Sequence, residues 1–232
     1  MPILSSAQPG APPLEITLRR SARARRFSLR VSRLDGRITL SLPLRAREAD
    51  ALAFAHAQED WLRRALAALP RVPAISFGTE LPFEGVPHRL IPGTGRAIRA
   101  EDGMLAIPGD PAQMRRRLAA WLKTRARDRL AAASDHFAAR LGRPYSSLAL
   151  RDTRSRWGSC THDGRLMYNW RLIMAPPLVL DYVCAHEVAH LAEMNHSSAF
   201  WAVVESLMPG HAPHRAWLKA HGQTLQAWRF DI

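Results

Sequence analysis

The sequence predicts an α+β fold, in which a β-rich N-terminal part is followed by a part that combines helices with short strands. The first observation is a two-residue alternation, in which Phe27, Leu29 and Val31 are separated by polar residues, as in a strand with one buried face. The second is a pair of long segments without internal proline or glycine, 47–69 and 111–141, which predict helices. The third is size, since 232 residues of which 47% are hydrophobic can bury a large core.

The N-terminal part is predicted to contain short strands and one helix. Residues 1–13 are rich in Pro, Ser and Ala, and we expect them to form a disordered arm. Strands are expected within 14–43, where Asp35-Gly36 indicates a hairpin because both residue types tolerate the positive φ of a tight turn. The helix over 47–69 ends before a proline. Further strands are expected around 75–83, 86–91, 97–100 and 104–107.

The C-terminal part is predicted to place three short strands between helices. The helix over 111–141 ends before Gly142, and strands are expected at 147–152, 155–160 and 165–170. Pro176 and Pro177 suit the first turn of the next helix, where a missing N–H costs nothing. One more helix is expected from Ser197 to Pro209-Gly210. The predicted division is therefore an arm over 1–13, a β-rich region with one helix over 14–108, and a C-terminal domain over 111–232.

Composition limits the partners and the compartment. The formal net charge is +13, and nearly all of the positive charge is arginine, since Lys123 and Lys219 are the only lysines. Such a charge fits an anionic partner such as nucleic acid, a nucleotide or an acidic protein, although a biased genome composition would also spread arginines along the chain. Two cysteines are too few for a disulfide framework, and no apolar run approaches the roughly 20 residues needed to cross a bilayer. The first residues show no basic region followed by an apolar core, so we expect no signal peptide. We therefore expect a cytoplasmic protein that does not enter a membrane.

The segment YVCAHEVAHLAEMNHSSAF, from Tyr182 to Phe200, contains a metal-binding pattern. His186 and His190 are four residues apart, so they lie on one face of a helix and their imidazoles can converge on one ion. Glu187 is rotated by about 100° from His186, which lets it reach a water molecule on the metal without ligating the metal itself. His196 follows His190 by six residues, the spacing of a longer three-histidine signature.

Other residues compete with His196 for the third ligand position. Glu193 lies on the same helical face, but its carboxylate would approach along the helix axis and close a tetrahedron poorly. Glu205 follows on the next predicted helix, and His211 and His214 lie in a Pro-containing loop. We favour His196, and we expect Glu193 or Glu205 to hold a ligand imidazole through its other N–H, unless they are ordinary exposed acids.

The third histidine can return to the ion only if the chain leaves the helix. Asn195 is the expected pivot because asparagine accepts a left-handed conformation, and Ser197 is the expected cap of the following helix. Three protein ligands leave a fourth position for water, as in catalytic zinc sites, so we predict one Zn²⁺ and an enzyme. Glu187 would take the proton of the metal-bound water.

The segment RSRWGSC, residues 154–160, followed by YNWRLIMAPPLVLDYVCAHEVAHLAEMNHSSAFW, resembles the YgjP-like proteins, relatives of the SprT-like zinc metallopeptidases. The basic segment RRSARARRFSLRVSRLDGRITLSLP is also similar to the N-terminal part of that family. The resemblance covers most of the chain beyond the first dozen residues. It implies a zincin-like metallopeptidase core, with an active-site helix on a small sheet, and makes 111–232 the catalytic domain. It also implies His186, His190 and His196 as zinc ligands and Glu187 as the acid/base residue.

The element SRWGSC allows two interpretations as a substrate-binding segment. Its strand could pair with an extended peptide, with Gly158 permitting close approach of the backbone. Alternatively, Arg154 and Arg156 could bind phosphate through their forked guanidinium groups. A purely structural interpretation remains beside these, in which Trp157 fills the core and both arginines face water.

The favoured function is a zinc-dependent peptidase that uses a metal-bound water activated by Glu187. One alternative is a metal-dependent nucleotide phosphohydrolase of pyrophosphatase type, which the overall basicity of the chain suits better. Another is a nucleic-acid-associated protease, since seven arginines lie between Arg19 and Arg33. Direct nucleic-acid binding is less favoured, because Phe27 is the only aromatic residue there and Arg30 alternates with apolar neighbours as an ordinary outward strand residue does. A zinc-stapled binding module without activity would not need Glu187.

Overall fold

The computed structural model of the chain describes residues 3–4, 12–32, 36–69 and 74–230. The chain divides into two compact units, Met1–Arg71 and Val72–Ile232. The sequence instead places the end of the β-rich region near 108–111. The two divisions differ because strand residues Leu105 and Ile107 share one hydrophobic core with Leu118 of the long helix that follows them.

The first unit contains a four-stranded sheet. Its strands are β1 (Ile3–Leu4), β2 (Leu14–Ser21), β3 (Ser28–Val31) and β4 (Ile38–Pro43), in the order β1-β2-β4-β3. β2 runs parallel to β4, and β3 runs antiparallel to it. Every second residue of β4 is buried, and Phe27, Leu29 and Val31 pack against the same core. The two-residue alternation in the sequence thus reflects a sheet with one buried face.

Two short helices pack with this sheet where the sequence predicts one. They are α1 (Glu48–Ala57) and α2 (Glu59–Ala67), and the chain breaks at Gln58, which has φ −108° and ψ 14°. The prediction of a single helix over 47–69 is therefore wrong. The sequence did not reveal the break, because neither glycine nor proline marks it. The change of direction allows Ala55 of α1 and Leu62 of α2 to enter one core.

The predicted N-terminal arm falls largely outside the described residues. Ile3–Leu4 is an exception and pairs antiparallel with the start of β2. The hairpin between β3 and β4 is described on its second half only, since Asp35 lies outside the described residues. Gly36 has the positive φ that the sequence predicts, 69°, and its N–H donates to the carbonyl of Ser32, four residues earlier, at 2.9 Å.

The second unit contains two small sheets. The first comprises β5 (Glu80–Phe83), β6 (Val86–Gly93), β7 (Arg99–Glu101) and β8 (Met104–Pro108), in the order β5-β6-β8-β7. The second comprises β9 (Ser147–Arg151), β10 (Gly158–Cys160) and β11 (Arg165–Asn169), in the order β10-β11-β9. Each strand that the sequence predicts in this region is present, although β5 and β10 begin later than expected. The strand order β10-β11-β9 makes β10 an edge strand of the described sheet.

Four α-helices lie in the described part of the second unit, and the sequence missed the last of them. They are α3 (Met114–Leu141), α4 (Pro177–Ala189), α5 (Ser198–Leu207) and α6 (Ala212–Ala227). Gly142 ends α3 in a left-handed conformation. His211 and His214 do not lie in a loop, as the sequence suggests, since His211 is the residue before α6 and His214 lies within it. The predicted break at Pro209-Gly210 is correct, since α5 ends at Leu207. Pro213 occupies the first turn of the following helix, α6, where proline is tolerated.

Helix α4 is held on several sides. It contacts α3, α5, α6 and strand β10. Its core residues include Leu180, Val183 and Cys184, all of which are buried. Burial on most of its circumference fixes the rotation of α4, which carries two of the three candidate ligands. Among the described residues, no helix combines the length and apolarity needed to cross a membrane.

Candidate metal centre

Helix α4 positions the first two histidines and the glutamate between them. Pro177 starts the helix, as predicted, and His190 follows its last residue, Ala189, with helical dihedral angles. His186 and His190 therefore lie one turn apart near the C-terminal end of α4. Glu187 and His190 are buried, with 6% and 8% of their surface exposed.

The third histidine returns to the other two after a turn. The imidazole Nε2 atoms of His196 and His186 are 3.1 Å apart. A donor atom from each of His186, His190 and His196 lies within 4.8 Å of the other two. The ring of Phe200 packs against all three imidazoles, with its centroid 4.4 Å from that of His190. The sequence predicts this cluster, and the structure brings its three members together.

The turn that carries His196 is built differently from the expectation. In the described part of the chain, the non-glycine residues with a positive φ are Glu84 and Asp102. Asn195 is not among them. The left-handed pivot predicted at Asn195 is therefore wrong. Ser197 does cap α5, since its hydroxyl accepts a hydrogen bond from the N–H of Phe200 at 3.4 Å.

The donor set fits a divalent metal. Two nitrogen ligands of a tetrahedral zinc ion with Zn–N bonds of 2.0–2.1 Å are about 3.3 Å apart, which is close to the 3.1 Å between His186 and His196. Nδ1 of His190 lies 2.9 Å from the carbonyl oxygen of Glu193. A carbonyl can only accept, so Nδ1 carries the proton and Nε2 offers its lone pair to the centre of the cluster. Glu193 thus acts through its backbone rather than through its carboxylate.

Burial favours the neutral form of His186 and His190. Burial lowers the pKa of His186 to about 3, and the neighbouring His190 and His196 act in the same direction. Burial also lowers the pKa of His190, although the hydrogen bond to Glu193 opposes this effect. Nδ1 of His186 is buried and has no hydrogen-bond partner within the described ranges. Neutral imidazoles are the form that binds metals.

Glu187 lies beside the cluster in a dry environment. Burial raises the pKa of its carboxyl group to about 8, and the charge of Arg156 acts in the opposite direction. A cation held by the histidines would favour the carboxylate. The side chain of Glu187 lies directly against Gly158 of β10, because a Cβ atom there would be 2.5 Å from Oε1. Helix and edge strand therefore meet at the glutamate.

Strand β10 has one edge free for hydrogen bonding. The N–H of Thr161, after β10, donates to the carbonyl of Arg165 on β11, and the N–H of Asn169 on β11 donates to the carbonyl of Trp157, before β10. Ser159 is therefore the hydrogen-bonded position between these two pairs. Gly158 and Cys160 then direct their N–H and C=O groups away from β11. In the sheet as described, this side of β10 carries no strand.

The other predicted substrate-binding residues differ in exposure. Trp157 is half buried, packs against the core, and lies against Gly222 of α6, which favours the structural interpretation of this residue. Arg154 and Arg156 are exposed. The charge of Arg156 lowers the pKa of the Glu187 carboxyl group and so opposes the effect of burial.

An aromatic stack next to His186 was missed by sequence reasoning. His211 lies between Tyr182 and Trp201, with ring centroids 5.8 Å and 5.7 Å away and nearly parallel planes. The Nδ1 atom of His211 is 2.9 Å from a carboxylate oxygen of Glu205. Glu205 therefore binds His211. The sequence had instead suggested that Glu205 could hold one of the ligand imidazoles. These residues come from α4, α5 and the residue before α6, so no local spacing could reveal the stack.

Comparison with known proteins places the chain in a family. The sequence model described as "YgjP-like, metallopeptidase domain" matches residues 25–221. The chain belongs to the YgjP-like family. One solved structure similar to this YgjP-like chain is the crystal structure of the metallopeptidase zymogen of Pyrococcus abyssi abylysin, with 24% sequence identity and a TM-score of 0.33. The match covers 40% of the YgjP-like chain and 93% of abylysin. No curated protein matches the sequence.

Family membership supports a metal-dependent peptidase, and so a hydrolase with a peptide or protein substrate. The matched range includes both the three histidines and strand β10. The mixed α+β architecture of this YgjP-like protein agrees with the fold class that the sequence predicts.

Proposed function

We propose that this YgjP-like protein is a zinc-dependent peptidase, in which His186, His190 and His196 hold one zinc ion and Glu187 is the general base. The convergence of three imidazole donors within 4.8 Å beside a buried carboxyl group carries this proposal. Zinc bound there would act as a Lewis acid and lower the pKa of a water molecule. Three nitrogen donors suit zinc, although imidazole also binds other divalent metals.

The burial of Glu187 next to the candidate ligand His186 supports a role as proton carrier. Its carboxyl group is enclosed by Gly158 and α4, so bulk water does not compete for its proton. As a carboxylate it accepts the proton of the attacking water, and it then delivers that proton to the nitrogen of the leaving amine. Arg156, whose charge acts on Glu187, helps to keep the carboxylate ionised for the first step.

We further propose that the core is zincin-like, with α4 as the active-site helix and β9–β11 as its sheet. An extended peptide would pair with β10 through the free N–H and C=O groups of Gly158 and Cys160. Such pairing fixes the backbone of the substrate. The side chains of the substrate then determine which peptide sequences are preferred. The free cysteines, Cys160 and Cys184, fit a reducing compartment, so we propose a cytoplasmic location.

The proposed function is tested by metal analysis and by Glu187→Gln. We expect about one zinc per chain in the purified protein and in the variant, because Glu187 is not a ligand. A mixed peptide library and a panel of nucleoside triphosphates are then offered to both proteins. We expect cleavage of peptides by the parent and no turnover by the variant. Equal turnover by both proteins would remove Glu187 from the mechanism, and turnover of nucleotides alone would establish the phosphohydrolase instead.

A second candidate, a nucleic-acid-associated protease, is favoured by the open face of the sheet in the first unit. The registers of β2, β3 and β4 place Arg19 beside Ser41, and Arg30 beside Thr39, on the face opposite the buried residues. Both arginines are exposed. Arginine and hydroxyl side chains are common phosphate ligands in protein–DNA complexes.

This second candidate is tested by binding to a DNA duplex over a salt series. The double variant Arg19→Gln/Arg30→Gln is compared with Arg47→Gln, an exposed arginine at the start of α1. If both arginines contact phosphates, the double variant reduces the slope of log K against log salt by about 2. An unchanged slope, or an equal effect of Arg47→Gln, would argue against this face as a nucleic-acid site.

A further inference from the structure

The contact between Gly158 and Glu187 leaves no space for a side chain on the strand. A Cβ atom at Gly158 would lie 2.5 Å from Cγ and from Oε1 of Glu187, and 2.7 Å from Cδ. Non-bonded carbon atoms prefer separations of about 3.5–4.0 Å. The clash involves the stem of Glu187 as well as its tip, so a small rotation of the carboxyl group would not relieve it. Gly158 is not among the positive-φ glycines of the described chain, so its backbone conformation does not require glycine.

Strand β10 cannot easily move away from α4. The carbonyl of Trp157 accepts a hydrogen bond of 2.8 Å from the N–H of Asn169, which is fully buried. The side chain of Asn169 donates a second hydrogen bond, of 2.7 Å, to the carbonyl of Thr153. On the other side, the indole of Trp157 lies so close to Gly222 of α6 that a Cβ atom there would be 3.0 Å from it. Displacement would therefore fall on Glu187 rather than on the strand.

We propose that Gly158 is a positioning residue for catalysis, whose missing side chain sets the place of the Glu187 carboxyl group beside the three histidines. This inference rests on the function proposed above for Glu187. A methyl group at position 158 would force Glu187 into another rotamer and move its carboxyl group by an ångström or more. A misplacement of about 1 Å can lower the rate of an enzyme by about 100-fold. Substrate pairing with β10 is a separate role, because it uses only the backbone of Gly158.

The steric part of the proposal is tested by thermal unfolding of the metal-free protein. We expect Gly158→Ala to lower Tm by roughly 3–10 °C, as one overpacked side chain does in a chain of this size. In the Glu187→Ala background the partner of the clash is absent, so Gly158→Ala should leave Tm unchanged or raise it, because glycine weakens a strand. In the Glu187→Gln background the shape is kept, and the loss should return. Equal losses in the Ala and Gln backgrounds would overturn the proposal.

The catalytic part is tested with zinc-loaded protein and one quenched fluorescent peptide selected from the library. We expect Gly158→Ala to lower kcat about 100-fold, with KM and zinc content unchanged. An unchanged kcat, or a raised KM with the parent's kcat, would overturn the positioning role. Activity of Glu187→Gln at the parent's rate would instead refute the proposed function, and the unfolding experiment would still decide whether Gly158 places Glu187.

Discussion

The side chain of Arg171 connects the C-terminal residues of the chain to the strands near the candidate site through hydrogen bonds. Its guanidinium group forms a two-point ion pair with Asp152, with Nε–Oδ1 and Nη2–Oδ2 distances of 2.7 Å and 3.1 Å. Nη1 donates to the carbonyl oxygens of Trp228 at 2.8 Å and Leu225 at 3.3 Å. The group also stacks over the ring of Trp170 at 4.9 Å. We predict that Arg171→Met, which keeps the apolar stem and removes every donor, destabilises the protein.

The size of this effect follows from the contacts. The variant leaves two buried carbonyl groups without their charged donor, and hydrogen bonds to charged groups contribute about 1.5–3 kcal/mol each. Asp152 also loses its partner, but half of its side chain is exposed and water can replace the contact. The cost should therefore lie at the lower end of the 3–5 kcal/mol typical of a broken buried ion pair. About 3 kcal/mol corresponds to a fall in Tm of about 6–12 °C for a chain of this length.

Circular dichroism during thermal unfolding measures the loss, and Arg165→Met is the matched control. Arg165 also forms an ion pair, with Asp163 at 2.7 Å, but both side chains are more than half exposed. Exposed ion pairs contribute little to stability, so we expect no resolved change in Tm for the control. If Arg171→Met and Arg165→Met unfold at the same temperature, the buried contacts of Arg171 do not stabilise the fold as argued.

Three further predictions concern the metal and the cysteines. Chelation should lower Tm by about 8–16 °C relative to protein in zinc at 1,000 times its Kd, since ligand binding at that level contributes about 4 kcal/mol; an unchanged Tm would mean that the folded state binds no zinc. His196→Ala should abolish most of that zinc-dependent shift, whereas a full shift in the variant would exclude His196 as a ligand. Burial raises the pKa of Cys160 to about 11 and also raises that of Cys184. A raised pKa leaves little reactive thiolate at pH 8, so alkylation by iodoacetamide should be slow in the folded protein and fast in denaturant. Equal rates in both conditions would contradict the burial of the two thiols.

Local patterns in the sequence predicted most of the elements and the centre of the site. The spacing of His186 and His190 requires only helical geometry, and His196 was found because it follows His190 by six residues, the spacing of a longer three-histidine signature. The strand alternation and the helix-ending Gly142 are equally local signals. The ends of β5 and β10 were less well placed, because strand ends depend on the pairing partner.

Features that depend on long-range packing were not predictable in this way. Gly222 lies inside a helix, where glycine is normally unfavourable, and its small size is explained only by the indole of Trp157 against it. The stack of Tyr182, His211 and Trp201 joins α4, α5 and the residue before α6. The break at Gln58 carries neither glycine nor proline, and its cause is the shared core of two helices. For Gly222 and for the ring stack the partner is distant in sequence, and for Gln58 the cause is packing against a core that both helices share.

The candidate centre also has a cost for the fold, which leads to a last prediction. Glu187 places an ionisable group in an apolar helix, and burial raises the pKa of its carboxyl group to about 8, so the environment disfavours the charged form. Methionine has a similar shape and no such penalty, and buried polar groups are commonly less stabilising than apolar ones of equal volume. We therefore expect Glu187→Met to raise Tm of the metal-free protein by a few degrees and to abolish peptide cleavage. Active-site residues often reduce stability while they provide activity. Thermal unfolding in excess chelator measures this, with Gln226→Met on the half-buried part of α6 as a control for the added methionine. A lower Tm for Glu187→Met would mean that the carboxyl group stabilises the fold, and that its presence beside the histidines needs no catalytic reason.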